Sequence, residues 1–299
     1  MCFFALLAAA SDGFLGRWNL TVTAGSAQYP SWVEVTQADG KLTGRFVGRG
    51  GSVIPAEVEI AGDELRFSPG RPRSAKSQVS SQTYRARLVG GKLEGEGADN
   101  QGNPLRFTGV RSVRSPAPAR EPRWGAPVTL FNGRDLTGWT FKNPRGSECW
   151  SVVDGTLVNK PPCSNIHSER TFRDFKLHVE FSLDASSNSG VYLRGRYEVQ
   201  IADHAGREPD IHGAASIYSR ITPAANAAGK PGEWQTFDIT LIGYRVTVVY
   251  NGRTVIDNQE LEGITGGAMD SDEAGPGPIM LQGDHGRVQF RKILITPGT

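Results

Sequence analysis

No stretch of the 299 residues keeps its apolar side chains at the three-to-four-residue spacing of a helix. Short runs instead alternate apolar and polar residues and stop at glycine-bearing dipeptides. In an extended chain, alternation sends successive side chains to opposite faces, so the sequence predicts an all-β protein. Asp39-Gly40, Gly50-Gly51, Gly62-Asp63 and Gly90-Gly91 separate such runs, and positive-φ turns there match the twist of paired strands. Glycine usage agrees: 37 of 299 residues, about 12% against a usual ~7%. Strands are expected over 17–23, 32–36, 41–47, 57–60, 64–68, 83–89, 92–97 and 105–110, making 12–112 a small antiparallel meander or closed barrel. The stretch Gly40-Lys41-Leu42-Thr43-Gly44 is echoed by Gly91-Lys92-Leu93-Glu94-Gly95, which reads as shared hairpin chemistry.

The length suits about two domains. Pro116, Pro118, Pro122 and Pro127 cannot pair inside a sheet, so 113–127 reads as a linker and 128–297 as a second domain. Lys and Arg number 33 against 31 Asp and Glu, split sixteen to eleven through residue 127 and seventeen to twenty beyond. Neither half has the charge of a nucleic-acid binder, and Arg111, Arg114, Arg120 and Arg123 read as solvated linker residues. An apolar run from Phe3 to Ala10, followed by Ser11-Asp12, resembles the end of a signal peptide without its basic start. A truncated signal over 1–11 and a periplasmic or secreted location are therefore expected. Eight residues are too few for a membrane span. Cys149 and Cys163 flank a hairpin signal at Asp154-Gly155 and are either disulfide-bonded, in an oxidising compartment, or two buried thiols.

All five histidines lie beyond residue 160, which assigns the first domain to binding or support. In 174–183, Phe175, Leu177, Val179, Phe181 and Leu183 share one parity, while His178 and Glu180 lie on the other. Applied to 190–194 and 197–201, the same alternation puts Val191, Leu193, Tyr197, Val199 and Ile201 inside, with Tyr192, Arg194, Glu198 and Gln200 outside. Three successive strands are thus expected to project His178, Glu180, Arg194, Glu198 and Gln200 from one sheet face. That mixture of functional groups suits a site, although a solvated face with incidental ion pairs fits the pattern as well. Over 277–286, Gln282 precedes a turn carrying Asp284 and His285, placed for a rim role. The long segment 203–228, containing Asp203 and Tyr218, reads as a functional loop.

Leu130-Phe131-Asn132-Gly133, Asp135-Leu136-Thr137-Gly138-Trp139, Asp154-Gly155-Thr156-Leu157, Asn188-Ser189-Gly190-Val191-Tyr192-Leu193-Arg194-Gly195, Tyr197-Glu198-Val199-Gln200-Ile201, Gly232-Glu233-Trp234 and Gly277-Pro278-Ile279-Met280-Leu281-Gln282, with His285-Gly286, together resemble the 3-keto-disaccharide hydrolase family. The resemblance covers 128–297. It implies a concanavalin-like jelly roll in exported bacterial proteins, with one sheet binding sugar, acting on glycosides whose glucose ring is oxidised at C3.

A C3 ketone acidifies the C2 proton, so a base can remove it while the C1 oxygen leaves, and water then adds to the enone. This needs a base, an enolate stabiliser and an acid. Glu180 and Glu198 are the candidate base and acid, Arg194 or His178 the stabiliser, and His285 a second acid or sugar contact. Gln200, Tyr192, Asp203, Tyr218 and Gln282 are the candidate substrate contacts. Direct hydrolysis by two carboxylates is the competing route. No cofactor is required, although His178 and Glu180 with Asp203 or His285 could hold a divalent cation. The other class of reading is a noncatalytic carbohydrate-binding module. The expected partner is a carbohydrate, not nucleic acid or a membrane, and the oligomeric state is open.

Overall fold

A computed structural model describes residues 13–70, 82–99, 101–113, 121–143 and 149–299. The suggested signal segment, together with Arg114 and Arg120 of the linker, lies outside these. The chain divides into two compact units, Met1–Arg114 with Gly266–Glu273, and Ser115–Thr265 with Ala274–Thr299.

In the first unit, β1 (Gly16–Ala24), β2 (Ala27–Ala38), β3 (Lys41–Val47), β4 (Val53–Ala61), β5 (Glu64–Pro69), β6 (Tyr84–Val89), β7 (Lys92–Ala98) and β8 (Pro104–Arg111) form a closed barrel. Every neighbouring pair is antiparallel, and β8 closes on β1. Trp18, Leu20, Val22, Val33, Val35, Phe46, Leu65, Phe67, Leu93, Leu105 and Phe107 fill the interior. β2 and β4 run longer than their alternation suggested, because ladder pairing carries them through Pro30 and Pro55. The echoed glycines have a packing role. A Cβ on Gly95 would meet the Phe107 ring and the Arg85 carbonyl, and one on Gly44 would meet Val58 and Ala56.

Of the arginines read as solvated linker residues, Arg111 and Arg123 are exposed, but Arg111 belongs to β8 and each is tied to ordered chain. Arg111 places its guanidinium 4.5 Å over the Trp18 ring and donates to the carbonyls of Leu15, at 2.6 Å, and Gly13. Arg123 exchanges backbone hydrogen bonds with Thr299, Trp124 bridges to Gly298, and Lys176 lies 4.6 Å over the Trp124 ring. Prolines bar a sheet interior, but they leave such edge pairing available.

The second unit contains β9 (Val128–Thr129), β10 (Trp139–Phe141), β11 (Trp150–Val153), β12 (Thr156–Asn159), β13 (Ile166–Ser168), β14 (Asp174–Leu183), β15 (Asn188–Leu193), β16 (Tyr197–Ala202), β17 (Gln235–Ile242), β18 (Arg245–Tyr250), β19 (Arg253–Glu260), β20 (Met280–Leu281) and β21 (Val288–Gly298). One sheet has the order β10-β13-β20-β15-β16. The other runs β11-β12-β21-β14-β17-β18-β19, with β9 pairing on β21. The two sheets form a jelly-roll sandwich of the concanavalin-like kind. Phe175, Leu177, Val179, Phe181 and Ile239 from the larger sheet share one core with Val191, Leu193, Val199, Ile201 and Leu281 from the smaller. Fully burying each such side chain contributes roughly 1.5–3 kcal/mol. Cys149 and Cys163 form a disulfide, resolving the alternatives at that hairpin. Among the described residues no helix is long and apolar enough to cross a membrane.

Gly95→Ala should destabilise the barrel by about 1–3 kcal/mol through overpacking. Gly50→Ala, where a Cβ meets nothing within 4 Å, is the control. Calorimetric melting of the two variants checks this, with a lowered transition expected for the first alone.

Candidate active site

Strand register builds the site on the outer face of the smaller sheet. Thr140 lies opposite His167, His167 opposite Met280, Met280 opposite Tyr192, and Tyr192 opposite Glu198, giving one row across five strands. The adjacent row, Phe141, Ile166, Leu281, Val191 and Val199, points into the core, so the Glu198 row points away from it. One step along the sheet, Gly190 lies opposite Gln200, and the Gln282 N–H donates to the Gly190 carbonyl at 3.0 Å.

Glu198 is 4% exposed. Its side chain occupies the space a Cβ on Gly190 would need, since that atom would lie 2.7 Å from Glu198 Cγ and closer still to Oε1. The absent side chain at Gly190 therefore makes room for the carboxyl. The Tyr192 hydroxyl hydrogen-bonds Glu198. With the Gln200 amide oriented so that each atom meets its complement, Nε2 donates to Glu198 Oε1 and the Ser189 carbonyl, both at 3.2 Å. Its oxygen accepts from Asn188 Nδ2 at 3.1 Å. Burial drives the Glu198 pKa up to about 8, against the opposing pull of the Tyr192 hydrogen bond and the charges of His285 and Arg220. At neutral pH this carboxyl holds its proton. Burial, and then Glu198 itself, also push the Tyr192 hydroxyl well above the usual range.

The turn after β20 supplies an ion pair at the rim, with His285 Nδ1 2.7 Å from Asp284 Oδ1. The Asp284 hydrogen bond raises the imidazole pKa above its ordinary value; burial opposes this, while the charges of Asp284 and Glu198 reinforce it. For Asp284, burial is outweighed by the His285 hydrogen bond and by the charges of His285 and Lys142, and its pKa is lowered. Burial lowers that of Lys142, with Asp284 opposing. The long 203–228 loop contributes Tyr218, whose N–H donates to the Glu198 carbonyl at 3.0 Å, and Arg220, whose charge reaches Glu198. Alternation carries no signal for Lys142, His167 or Arg220, because each sits in a three-residue strand or an irregular segment; only register and loop path bring them here.

The expectation that His178 and Glu180 share a face with Glu198 and Gln200 is overturned. β14 belongs to the larger sheet, and β15 and β16 to the smaller. Both sheets turn their apolar parity inward, so the two polar groups face opposite sides of the sandwich. Alternation sets the parity within a strand but does not say which sheet the strand joins. His178 Nδ1 lies 2.7 Å from Asp238 Oδ1, and Nε2 lies 3.2 Å from Glu180 Oε1. Where β21 pairs with β14 the register shifts between Glu180 and Phe181, and two cations meet Glu180: Arg291 Nε at 2.5 Å and Lys292 Nζ at 3.6 Å. Burial raises the Glu180 pKa, but hydrogen bonds from Arg291 and His178 and the two positive charges bring it below its ordinary value.

Arg194 is also not an outward group. It follows β15 at φ 54° and turns inward, with Nε 2.6 Å from the Arg173 carbonyl, Nη2 2.6 Å from the Gly243 carbonyl and 3.3 Å from Asp174 Oδ1. Asp203 accepts from the Ser186 N–H at 2.9 Å, closing a turn. The cation set imagined from His178 and Glu180 with Asp203 or His285 is split between the two sheets. Among the described residues no group of three or more His, Cys, Asp or Glu side chains could hold a metal ion.

Glu180→Gln should therefore act on stability. A carboxylate pKa lowered by folding stabilises above the unfolded value, and that contribution is lost as pH falls through the folded one. The variant should melt below the parent at pH 7, and the gap should close as pH drops below about 4. Melting curves across pH check this.

Residues 126–296 match the family model described as the 3-keto-alpha-glucoside-1,2-lyase-like domain. Among solved structures, a candidate glycosyl hydrolase from Parabacteroides distasonis at 2.13 Å is 28% identical, with a TM-score of 0.50 over 62% of this chain and 93% of that one. A second from the same organism, at 2.00 Å, is 26% identical, with a TM-score of 0.46 over 57% of this chain and 98% of that one. The Bacillus subtilis carbohydrate-binding module CBM66 is 14% identical, with a TM-score of 0.39 over 53% and 95%. No curated protein sequence matches the chain. With more than half its length matched by one model, over the sandwich that carries the Glu198 face, the chain belongs to the 3-keto-alpha-glucoside-1,2-lyase-like domain family.

Proposed function

We propose that the sandwich domain cleaves glycosides whose glucose ring carries a ketone at C3, by elimination across C1–C2 followed by hydration. The observation that carries this reading is the buried Glu198 carboxyl, which holds its proton to about pH 8 beside Tyr192 and Gln200, on the same sheet face as the Asp284–His285 pair. With its Nδ1–H held by Asp284, neutral His285 presents Nε2 as a base for the C2 proton. The C–H electron pair forms the C1=C2 bond, the C1–O bond breaks, and Glu198 gives its proton to the departing oxygen. The imidazolium proton exchanges with solvent as the aglycone leaves, and water then adds across the enone, its oxygen to C1 and a proton from His285 to C2, while Glu198 recovers its proton from the same water. Lys142 and Arg220 bring positive charge toward the enolate. Hydrolysis by Glu180 together with Glu198 fits less well, because two carboxylates on opposite sides of a sandwich cannot flank one bond. The Cys149–Cys163 disulfide supports an exported, oxidising setting.

The pH dependence follows from these roles. kcat/KM should rise as His285 loses its proton and fall as pH passes about 8, where Glu198 loses its own. Glu198→Gln should lower turnover at least ~100-fold. Stability moves the other way. A carboxyl whose folded pKa lies above its unfolded value binds more protons when folded, so it weakens the fold progressively between about pH 4.5 and about pH 8. Glu198→Gln should therefore melt higher than the parent by about 3 °C or more at pH 9 and show no gain at pH 4.

Elimination also labels its product. In D2O, a 3-keto-glucoside should yield free aglycone and a 3-keto-glucose carrying enzyme-dependent deuterium at C2, after subtraction of exchange in 3-keto-glucose alone. Aglycone release without that deuterium would move the reading to direct hydrolysis, and no release at all would move it to a binding module.

A further inference from the structure

Gln282 is 7% exposed and pinned from both sides of its backbone. Its N–H donates to the Gly190 carbonyl at 3.0 Å, its carbonyl accepts from Ser189 Oγ at 2.8 Å, and the next N–H, of Gly283, donates to Asn165 Oδ1 at 2.9 Å. The side chain leaves the sheet on the Glu198 side, and its Nε2 donates to the Tyr192 hydroxyl at 3.4 Å. Its Oε1 accepts a hydrogen bond from no described residue. A buried amide oxygen without a donor costs free energy, and here the cost falls in the row beside the site, on an amide whose backbone is held.

We propose that Gln282 is a specificity-determining residue: its Oε1 accepts a hydrogen bond from a ring hydroxyl of the sugar, while its Nε2 ties that hydroxyl through Tyr192 to the Glu198 carboxyl. This deepens the proposed function and rests on it. The polarity is selective. A ketone oxygen only accepts, so the C3 carbonyl finds no partner at Gln282 Oε1 and belongs toward the donors Lys142 and Arg220. A hydroxyl of the same ring donates to Gln282, and the ring can seat in one orientation only. A site that pairs with a hydroxyl discriminates strongly against the analogue lacking it, because the paired group is then left buried and alone.

The test uses the full chain and five probes, namely methyl 3-keto-glucoside, its 2-, 4- and 6-deoxy analogues, and glucose, with calorimetric binding and kcat/KM measured for each. For the parent protein, one deoxy analogue should lose at least ~10-fold. Gln282→Met should lose about as much on the undeoxygenated sugar and nothing further on that one analogue, closing a double-mutant cycle. It should also shift the alkaline limb of the pH profile, because Tyr192 loses a donor, and without sugar it should melt no lower than the parent, because an unpaired buried oxygen has gone. Equal losses for every analogue in the two proteins would overturn the role of Gln282 and leave the cleavage reading intact. Coupled binding without cleavage would sustain Gln282 and overturn the reaction. Binding of none of the five sugars would overturn both.

Discussion

The sandwich depends on period-two alternation closed over a shared apolar core. Phe175, Leu177, Val179 and Phe181 on one sheet and Val191, Val199 and Ile201 on the other must face each other to leave water. Once they do, the intervening side chains have no choice but to face outward, and the smaller sheet's outward set is the candidate site. The position of Glu198 is thus set by the burial of Val199 beside it and of Val191 across from Val199.

That placement explains the electrostatics. A carboxyl on an open sheet face would be solvated and ionised, whereas Glu198 is packed over Gly190, under the Tyr192 hydroxyl and beside Gln200. Burial there outweighs the favourable hydrogen bonds and nearby positive charges. Glu180 is chemically the same group, but it meets Arg291, Lys292 and His178 at a register shift and is held ionised. Two glutamates, each on the polar parity of its strand but in different sheets, acquire opposite protonation habits because one is desolvated and the other is paired.

The first unit shows the same economy in a closed form. The barrel interior takes the Phe107 and Tyr84 rings where Gly95 and Gly97 leave room for them. The repeated Gly-Lys-Leu-x-Gly segments supply Gly95 and also Gly44, which packs against Val58 and Ala56. Its outward ladder is made of alternating charges, such as Arg85 opposite Glu96 and Glu96 opposite Arg106, which suits a solvated exterior.

What the sequence alone determined was local. Alternation and glycine turns marked the strands, the Asp154-Gly155 hairpin and the inward parity of each run, because side-chain direction in an extended chain depends only on position. The same reading put Glu198, Gln200 and Tyr192 on outward positions. What only the tertiary structure decided was which strands share a sheet. The passage from β14 to β15 crosses from one sheet to the other, so His178 and Glu180 part from Glu198, while Lys142, His167, Tyr218 and Arg220 arrive from distant segments. Arg194 turned inward because its φ of 54° ends the alternation at that residue. Sheet membership depends on pairing between residues far apart in sequence, and no local spacing encodes it.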